Sequence, residues 1–184
     1  MEQSMTDYVI PAFTTGKEIK KTRQKCGMTQ KEFAAFAGCS KSTVERWEMS
    51  DQKITGPIVT LLDILKRDPD MVEKMTIPKD RLKLRLYYMY DDMVCTIIDV
   101  DEQKQKIRIY NYISDLMYRA FGRNTEPDFK DYEEFLESRC FPRTRDKMKL
   151  ELKKLDIPFY DPILIIEKTE GRMADDDFWI RIER

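Results

Sequence analysis

The sequence predicts a mainly α N-terminal bundle followed by a C-terminal α+β domain with a small antiparallel sheet. Two observations carry this. Up to about residue 75, apolar residues recur at helical spacing in short segments, most of them opened by a capping residue. Beyond Thr76-Ile77-Pro78-Lys79-Asp80 the apolar period changes to two, and helical spacing returns only near residue 129. With 184 residues the chain can form one large domain or two small ones. The change of period favours two, at residues 1–77 and 80–184.

In the first stretch, Tyr8, Val9, Ile10 and Phe13 are too apolar for a solvated tail and are expected to pack on the first domain or on a second subunit. Thr15-Gly16-Lys17-Glu18 offers a capping box, after which Ile19, Thr22, Arg23 and Cys26 share one side of a helix that Gly27 stops. Thr29 caps a second helix and Glu32 completes its box. Phe33, Ala34 and Ala37 form its apolar face, and Gly38 ends it where a left-handed backbone is often needed. Ser40 caps a third helix, with Val44 and Trp47 inward and Lys41, Ser42, Glu45 and Arg46 outward. Ser50 to Lys53 form a loop. Pro57 suits the first turn of a fourth helix, buried through Ile58, Leu61, Leu62 and Leu65. Asp68-Pro69 breaks that helix, and Asp70 to Met75 make a final short one.

In the second stretch, Leu82 to Tyr87 and Lys106 to Tyr110 alternate apolar with polar residues, and Met93 to Val100 is a β-rich run between them. Asp91-Asp92 and Asp99 to Gln105 are polar enough for hairpin turns, so an antiparallel meander is expected. Helices follow, one through Phe129, Tyr132, Phe135 and Leu136, another over 144–155 through Met148, Leu150, Leu152 and Leu155. Asp161-Pro162 opens either a short apolar helix through Ile166 or a buried strand. Phe178-Trp179-Ile180-Arg181-Ile182 reads as a closing strand.

Residues 28–48 thus describe two short amphipathic helices joined by a tight turn, the helix-turn-helix shape that places a helix in the DNA major groove. The small Ala34 suits two helices that cross at a steep angle. Gln30, Ala34, Gly38, Ser40, Val44 and Trp47-Glu48 resemble the pattern of the XRE family of regulators, which includes the lambda and Cro repressors. Ile54-Thr55-Gly56-Pro57 and the leucines at 61, 62 and 65 look closest to the DNA-binding half of MqsA-type antitoxins. Ser50 and Cys39 depart from the family pattern, which usually has glycine and an aliphatic residue there. The zinc-binding half of the antitoxins has no counterpart. The likeness covers about residues 12–77. Further on, Arg139 to Asp146, Gly171 and Asp177 to Ile180 are loosely similar to a small domain associated with HipA-like kinases, without a kinase's nucleotide-binding features.

With the family geometry, Lys41, Ser42 and Arg46 reach base edges, the two cations favouring guanine, whose O6 and N7 both accept. Glu45 would accept from cytosine N4 or pair with a nearby lysine, the latter being favoured. Gln30, Thr43 and Lys53 are candidates for phosphate contacts. Lys17, Lys20, Lys21, Arg23 and Lys25 make the first helix basic enough to meet the DNA backbone, although the whole chain has a net charge of −1.

The rest of the composition narrows the classes. The charged fraction is 36%, but 41% of residues are hydrophobic, which argues against disorder. Histidine is absent and Cys26, Cys39, Cys95 and Cys140 are dispersed, so reduced thiols are expected in place of a zinc site. Glu167, Glu170 and Asp175-Asp176-Asp177 invite a metal, but a calcium loop needs alternating ligands and an internal glycine, and the contiguous aspartates before a strand read as a solvated turn. Arg139, Arg143 and Arg145 could bind nucleic acid or an acidic partner, or cap the loop before the next helix. No acid–base pair or nucleophile elbow is evident, so neither enzyme activity nor a cofactor is expected. No apolar run suits a membrane span, and Met1-Glu2-Gln3 opens without a signal-like pattern, giving a cytoplasmic expectation. The expected protein is a repressor or autoregulator that binds a palindromic operator in double-stranded DNA as a homodimer. Residues 80–184 would serve dimerisation, effector sensing or a protein partner. The rival expectation is a toxin-neutralising or anti-CRISPR-type inhibitor acting through 80–184, with the helix-turn-helix kept for autoregulation.

Overall fold

A computed structural model describes residues 7–144, 146 and 148–184. The chain divides into two compact units, the first ending at Ile77 and the second beginning at Pro78. Among the described residues, no helix is long and apolar enough to cross a membrane.

The first unit is helical throughout: α1 (Gly16–Lys25), α2 (Gln30–Phe36), α3 (Lys41–Met49), α4 (Pro57–Arg67) and α5 (Met71–Lys74). Both capping boxes form, Thr15 with Glu18 and Thr29 with Glu32, each meeting two helix-end N–H groups that would otherwise lack partners. Gly38 ends α2 at a φ of 64°, a left-handed position that costs other residues a steric penalty. Ile19, Phe33, Ala34, Val44, Ile58, Val59, Leu62 and Leu65 close the core. Before α1, Thr14 exchanges backbone hydrogen bonds with Ile54. The apolar N-terminal residues divide. Ile10 packs on the core, whereas Tyr8 and Val9 are 74% and 79% exposed, so the expected packing of those two on this domain is corrected.

Gly16 has a role its sequence context did not reveal. A Cβ there would lie 2.2 Å from the Trp47 carbonyl oxygen and 2.8 Å from that of Ser50, both backbone atoms at the end of α3. Gly16→Ala therefore has to push α1 away from α3. We expect it to lower the stability of the unit by about 1–3 kcal/mol, as overpacked sites do, measured by denaturant unfolding.

The second unit is a four-stranded antiparallel sheet with helices on one face. Its strands are β1 (Leu84–Tyr90), β2 (Met93–Asp101), β3 (Lys106–Asn111) and β4 (Phe178–Glu183), in the order β3-β2-β1-β4. The expected meander thus gains the last strand at its open edge, Ile182 facing Leu86. Helices α6 (Phe129–Ser138), α7 (Met148–Lys154) and α8 (Pro162–Thr169) supply the cover. Leu86, Tyr88, Ile98, Val100 and Ile180 pack there against Tyr132, Phe135, Leu152, Ile165 and Ile166. On the opposite face Tyr87, Met89 and Ile97 are buried among Val94, Tyr110, Tyr112 and Trp179, and the Arg181 guanidinium lies 4.1 Å from the Tyr87 ring centroid.

Several local expectations need correction. The alternation from Leu82 becomes a strand only at Leu84, and its polar position Arg85 is 4% exposed. Asp99 to Asp101 belong to β2 and not to the turn, which is a single 3-10 turn at Glu102–Lys104. Asp99 can sit fully buried in a strand because Arg85 donates to both its oxygens, at 2.6 and 2.8 Å, and Arg108 adds a third bond at 3.3 Å. The run after Asp161 is a helix: Pro162 starts it, and the Asp161 carboxylate accepts from the Leu164 N–H at 3.1 Å. α7 is shorter than expected, and Leu150 is 53% exposed while Leu152 is buried. Two residues apart on a helix means nearly opposite faces, so both could not enter one core.

The arginine and aspartate clusters also change meaning. Arg139 is buried; it donates to both Asp176 oxygens, at 2.6 and 2.9 Å, and to the carbonyls of Gly171 and Phe178. It is an internal tie and not a surface contact for nucleic acid or an acidic partner. Asp176 is accordingly no freely solvated turn residue; the Arg139 hydrogen bond holds its carboxyl below the usual range. Arg143 pairs with Glu137, and Arg145 lies outside the described residues. Cys95 and Cys140 are buried free thiols, and Cys26 and Cys39 are half-buried.

Candidate nucleic-acid interface

The orientation of α3 depends on one carboxylate. Glu48, in its last turn, accepts from Arg23 Nε at 2.6 Å and from a terminal guanidinium nitrogen at 3.1 Å. The other terminal nitrogen of Arg23 donates to the Met28 carbonyl at 2.7 Å, and Gln30 Nε2 donates to Glu48 at 3.0 Å. Glu48 therefore joins α1, the start of α2 and α3 at one point. Its side chain is 5% exposed and that of Arg23 10%. Burial alone would raise the Glu48 carboxyl, but the bonds from Arg23 and Gln30 outweigh it and hold the group below its ordinary value.

This network revises the basic patch. Arg23 is an internal partner and leaves the phosphate-facing set, while Lys17, Lys20, Lys21 and Lys25 remain exposed on α1. The amide of Gln30 is turned toward Glu48 and is half-buried, so its side chain braces the motif in this structure. The Arg23–Glu48 tie escaped the sequence reading. The only signals for it were a polar residue on the apolar side of the first helix and the glutamate after Trp47.

At the start of α3, Ser40 accepts from the Thr43 N–H at 3.1 Å. Its hydroxyl also shares hydrogen bonds with those of Ser42, at 2.9 Å, and Thr43, at 2.8 Å. These contacts hold the first turn in shape and leave Ser42 exposed. Lys41 pairs with Glu45 at 2.9 Å across one helical turn, both half-exposed. Such a pair contributes only about 0.3–0.5 kcal/mol, so a phosphate or base acceptor can draw Lys41 away. Arg46 is exposed and has no ion-pair partner among the described residues. Lys53 is exposed in the following loop, its ammonium 4.2 Å from the Phe13 ring centroid. Val44 is fully buried and Trp47 packs against the core from the same helix. The helix consequently has an anchored side and a free side, and the free side carries Lys41, Ser42 and Arg46.

Comparison with known proteins agrees with this geometry. Residues 19–63, from within α1 to within α4, match the family described as Helix-turn-helix, which makes this segment a helix-turn-helix domain of the XRE kind. The match does not reach the second unit. No curated protein and no solved structure matches the chain.

Proposed function

We propose, from a helix-turn-helix domain at residues 19–63, that the protein is a transcription repressor that reads its operator through α3. The observation that supports this best is the division of α3 itself. One side is locked by Val44, Trp47 and the buried Glu48, and the other presents Lys41, Ser42 and Arg46, held only by the weak Lys41–Glu45 pair and the exposed hydroxyl contact of Ser42 with Ser40.

In this reading the free side of α3 enters the major groove. Arg46 donates both arms of its guanidinium to guanine O6 and N7, a pairing worth about 1–3 kcal/mol of discrimination against other bases. Lys41 leaves Glu45 for a second acceptor, and Ser42 contributes a permissive contact. Thr43, Lys53 and the α1 lysines meet phosphates and set register without reading sequence. The protein acts as a homodimer on a palindromic site, with half-sites about 34 Å apart, one helical turn of DNA.

The test is salt-dependent binding to the DNA upstream of the protein's own gene, with Arg46→Ala beside the parent protein. Affinity for the specific site should fall about tenfold to a hundredfold in the variant, while weak binding to unrelated DNA persists. Footprint spacing and stoichiometry report the dimer in the same experiment. A folded parent protein with no specific binding at moderate salt would overturn the proposal and transfer the function to the second unit.

A further inference from the structure

The two edges of the sheet in the second unit are not alike. In an antiparallel pair the backbone hydrogen bonds fall at every second residue, so alternate residues of an edge strand turn their N–H and C=O outward. In β4 the outward residues are Phe178, Ile180 and Ile182. The Ile180 N–H donates to the Glu170 carbonyl at 2.7 Å. The Phe178 N–H donates to Asp176 at 3.0 Å, and its carbonyl accepts from Arg139 at 2.9 Å. The chain itself thus closes most of that edge.

The β3 edge is open. The Tyr112 N–H donates to the Cys95 carbonyl, which continues the β2–β3 ladder and turns the backbone groups of Tyr110 and Arg108 toward β2. Those of Ile107, Ile109 and Asn111 therefore point away from it. Among the described residues, no backbone group of another element bonds to these three. The usual guards of an edge are also missing. β3 has no proline, its register with β2 runs without a bulge, and Arg108 is turned to Asp80 and Asp99. Lys106, at the first position, is its other charge.

We infer that β3 is the docking edge for a second copy of the chain, the two strands pairing antiparallel about a two-fold axis into one continuous sheet. The sequence of the strand selects both partner and register. Opposed residues share a face, so the axis passes through a residue position, and two choices keep nearly all of β3 paired. With Arg108 on the axis, two guanidinium groups oppose each other. With Ile109 on the axis, Arg108 of each copy lies opposite Tyr110 of the other, Ile107 lies opposite Asn111, and Ile109 meets itself. The Arg108 guanidinium already lies 5.6 Å from the ring centroid of its own Tyr110, and the second register repeats that cation–aromatic contact across the strands. It also pairs Ile107, Ile109 and Asn111 at hydrogen-bonded positions. An unrelated extended peptide would meet the same backbone groups without this match of side chains. The interface rests on the homodimer of the proposed function, but it is measured without DNA, so its failure leaves base reading by α3 untouched.

Sedimentation equilibrium of the full chain across the micromolar range tests it, with Ile109→Pro and Ile109→Val beside the parent. Proline removes an outward N–H and puts its ring in the path of the partner strand, while the inward bonds of its neighbours to β2 remain. Valine trims the same side chain and keeps the N–H. The parent and Ile109→Val should dimerise, and Ile109→Pro should associate about tenfold more weakly or worse. Amide hydrogen exchange of the parent needs no variant: Ile107, Ile109 and Asn111 should gain protection as the protein concentration rises. A parent that dimerises without that gain would overturn the interface and leave the homodimer standing, as would a folded Ile109→Pro that dimerises as well as the parent. A parent that stays monomeric throughout would overturn both.

Discussion

Asp99→Ala should unfold the second unit or leave it barely stable. The substitution strands the Arg85 guanidinium, 4% exposed, in the middle of a sheet and removes one of the partners of Arg108. Deleting one member of a buried ion pair costs about 3–5 kcal/mol, against a total stability of about 5–15 kcal/mol for a domain. Arg85 also donates to the carbonyls of Pro78 and Asp80, so its displacement would loosen the entry of the chain into β1. The expected observation is loss of the second unit's cooperative thermal transition while the helical unit still melts. Replacing both partners, Arg85→Met with Asp99→Leu, should recover most of the loss, because a well-packed apolar pair avoids the desolvation that the charges carry. If the single variant melted like the parent, the pair would have no structural weight.

Glu48→Ala should have an effect of similar size on the first unit, about 3–5 kcal/mol, because it leaves Arg23 as an unpaired buried cation and the Gln30 amide without its acceptor. The pH dependence follows from the same carboxylate. Its folded pKa lies below the ordinary 4.5, so the unfolded chain binds the proton more readily. The stability it provides is fully present above pH 4.5 and is lost as pH falls through the lower folded value. Glu48→Gln should flatten that part of the acid-unfolding profile of the helical unit, followed by circular dichroism. An unchanged profile would show that the carboxylate does not stabilise α3.

What could be read in advance, and what could not, follows the distance over which each interaction acts. The capping boxes at Thr15–Glu18 and Thr29–Glu32 were legible because all their partners lie within four residues. So was the outward set of Lys41, Ser42 and Arg46, which follows from helical period alone. The Arg23–Glu48 tie spans 25 residues, and no local pattern distinguishes an arginine that turns inward from one that faces water. That is why Arg23 and Gln30 were assigned to DNA when the structure uses them as braces. Asp99 misled for a related reason. A polar run of seven residues reads as a turn unless its buried counter-ion, fourteen residues earlier, is known. Gly16 concealed its role because the carbonyls that crowd it belong to another helix.

The strand order of the second unit has a consequence in time. During synthesis, β1, β2 and β3 leave the ribosome together, but the strand that covers the outer edge of β1 arrives only with Phe178–Glu183. Until then the nascent chain displays an open row of backbone donors and acceptors beside Leu86 and Tyr88, a template for pairing with neighbouring chains. The helical unit has no such wait, for every residue of its core has been made once Val72 is added. A ribosome stalled after β3 has emerged and before β4 has would therefore carry a finished helix-turn-helix tethered to an adhesive, incomplete sheet.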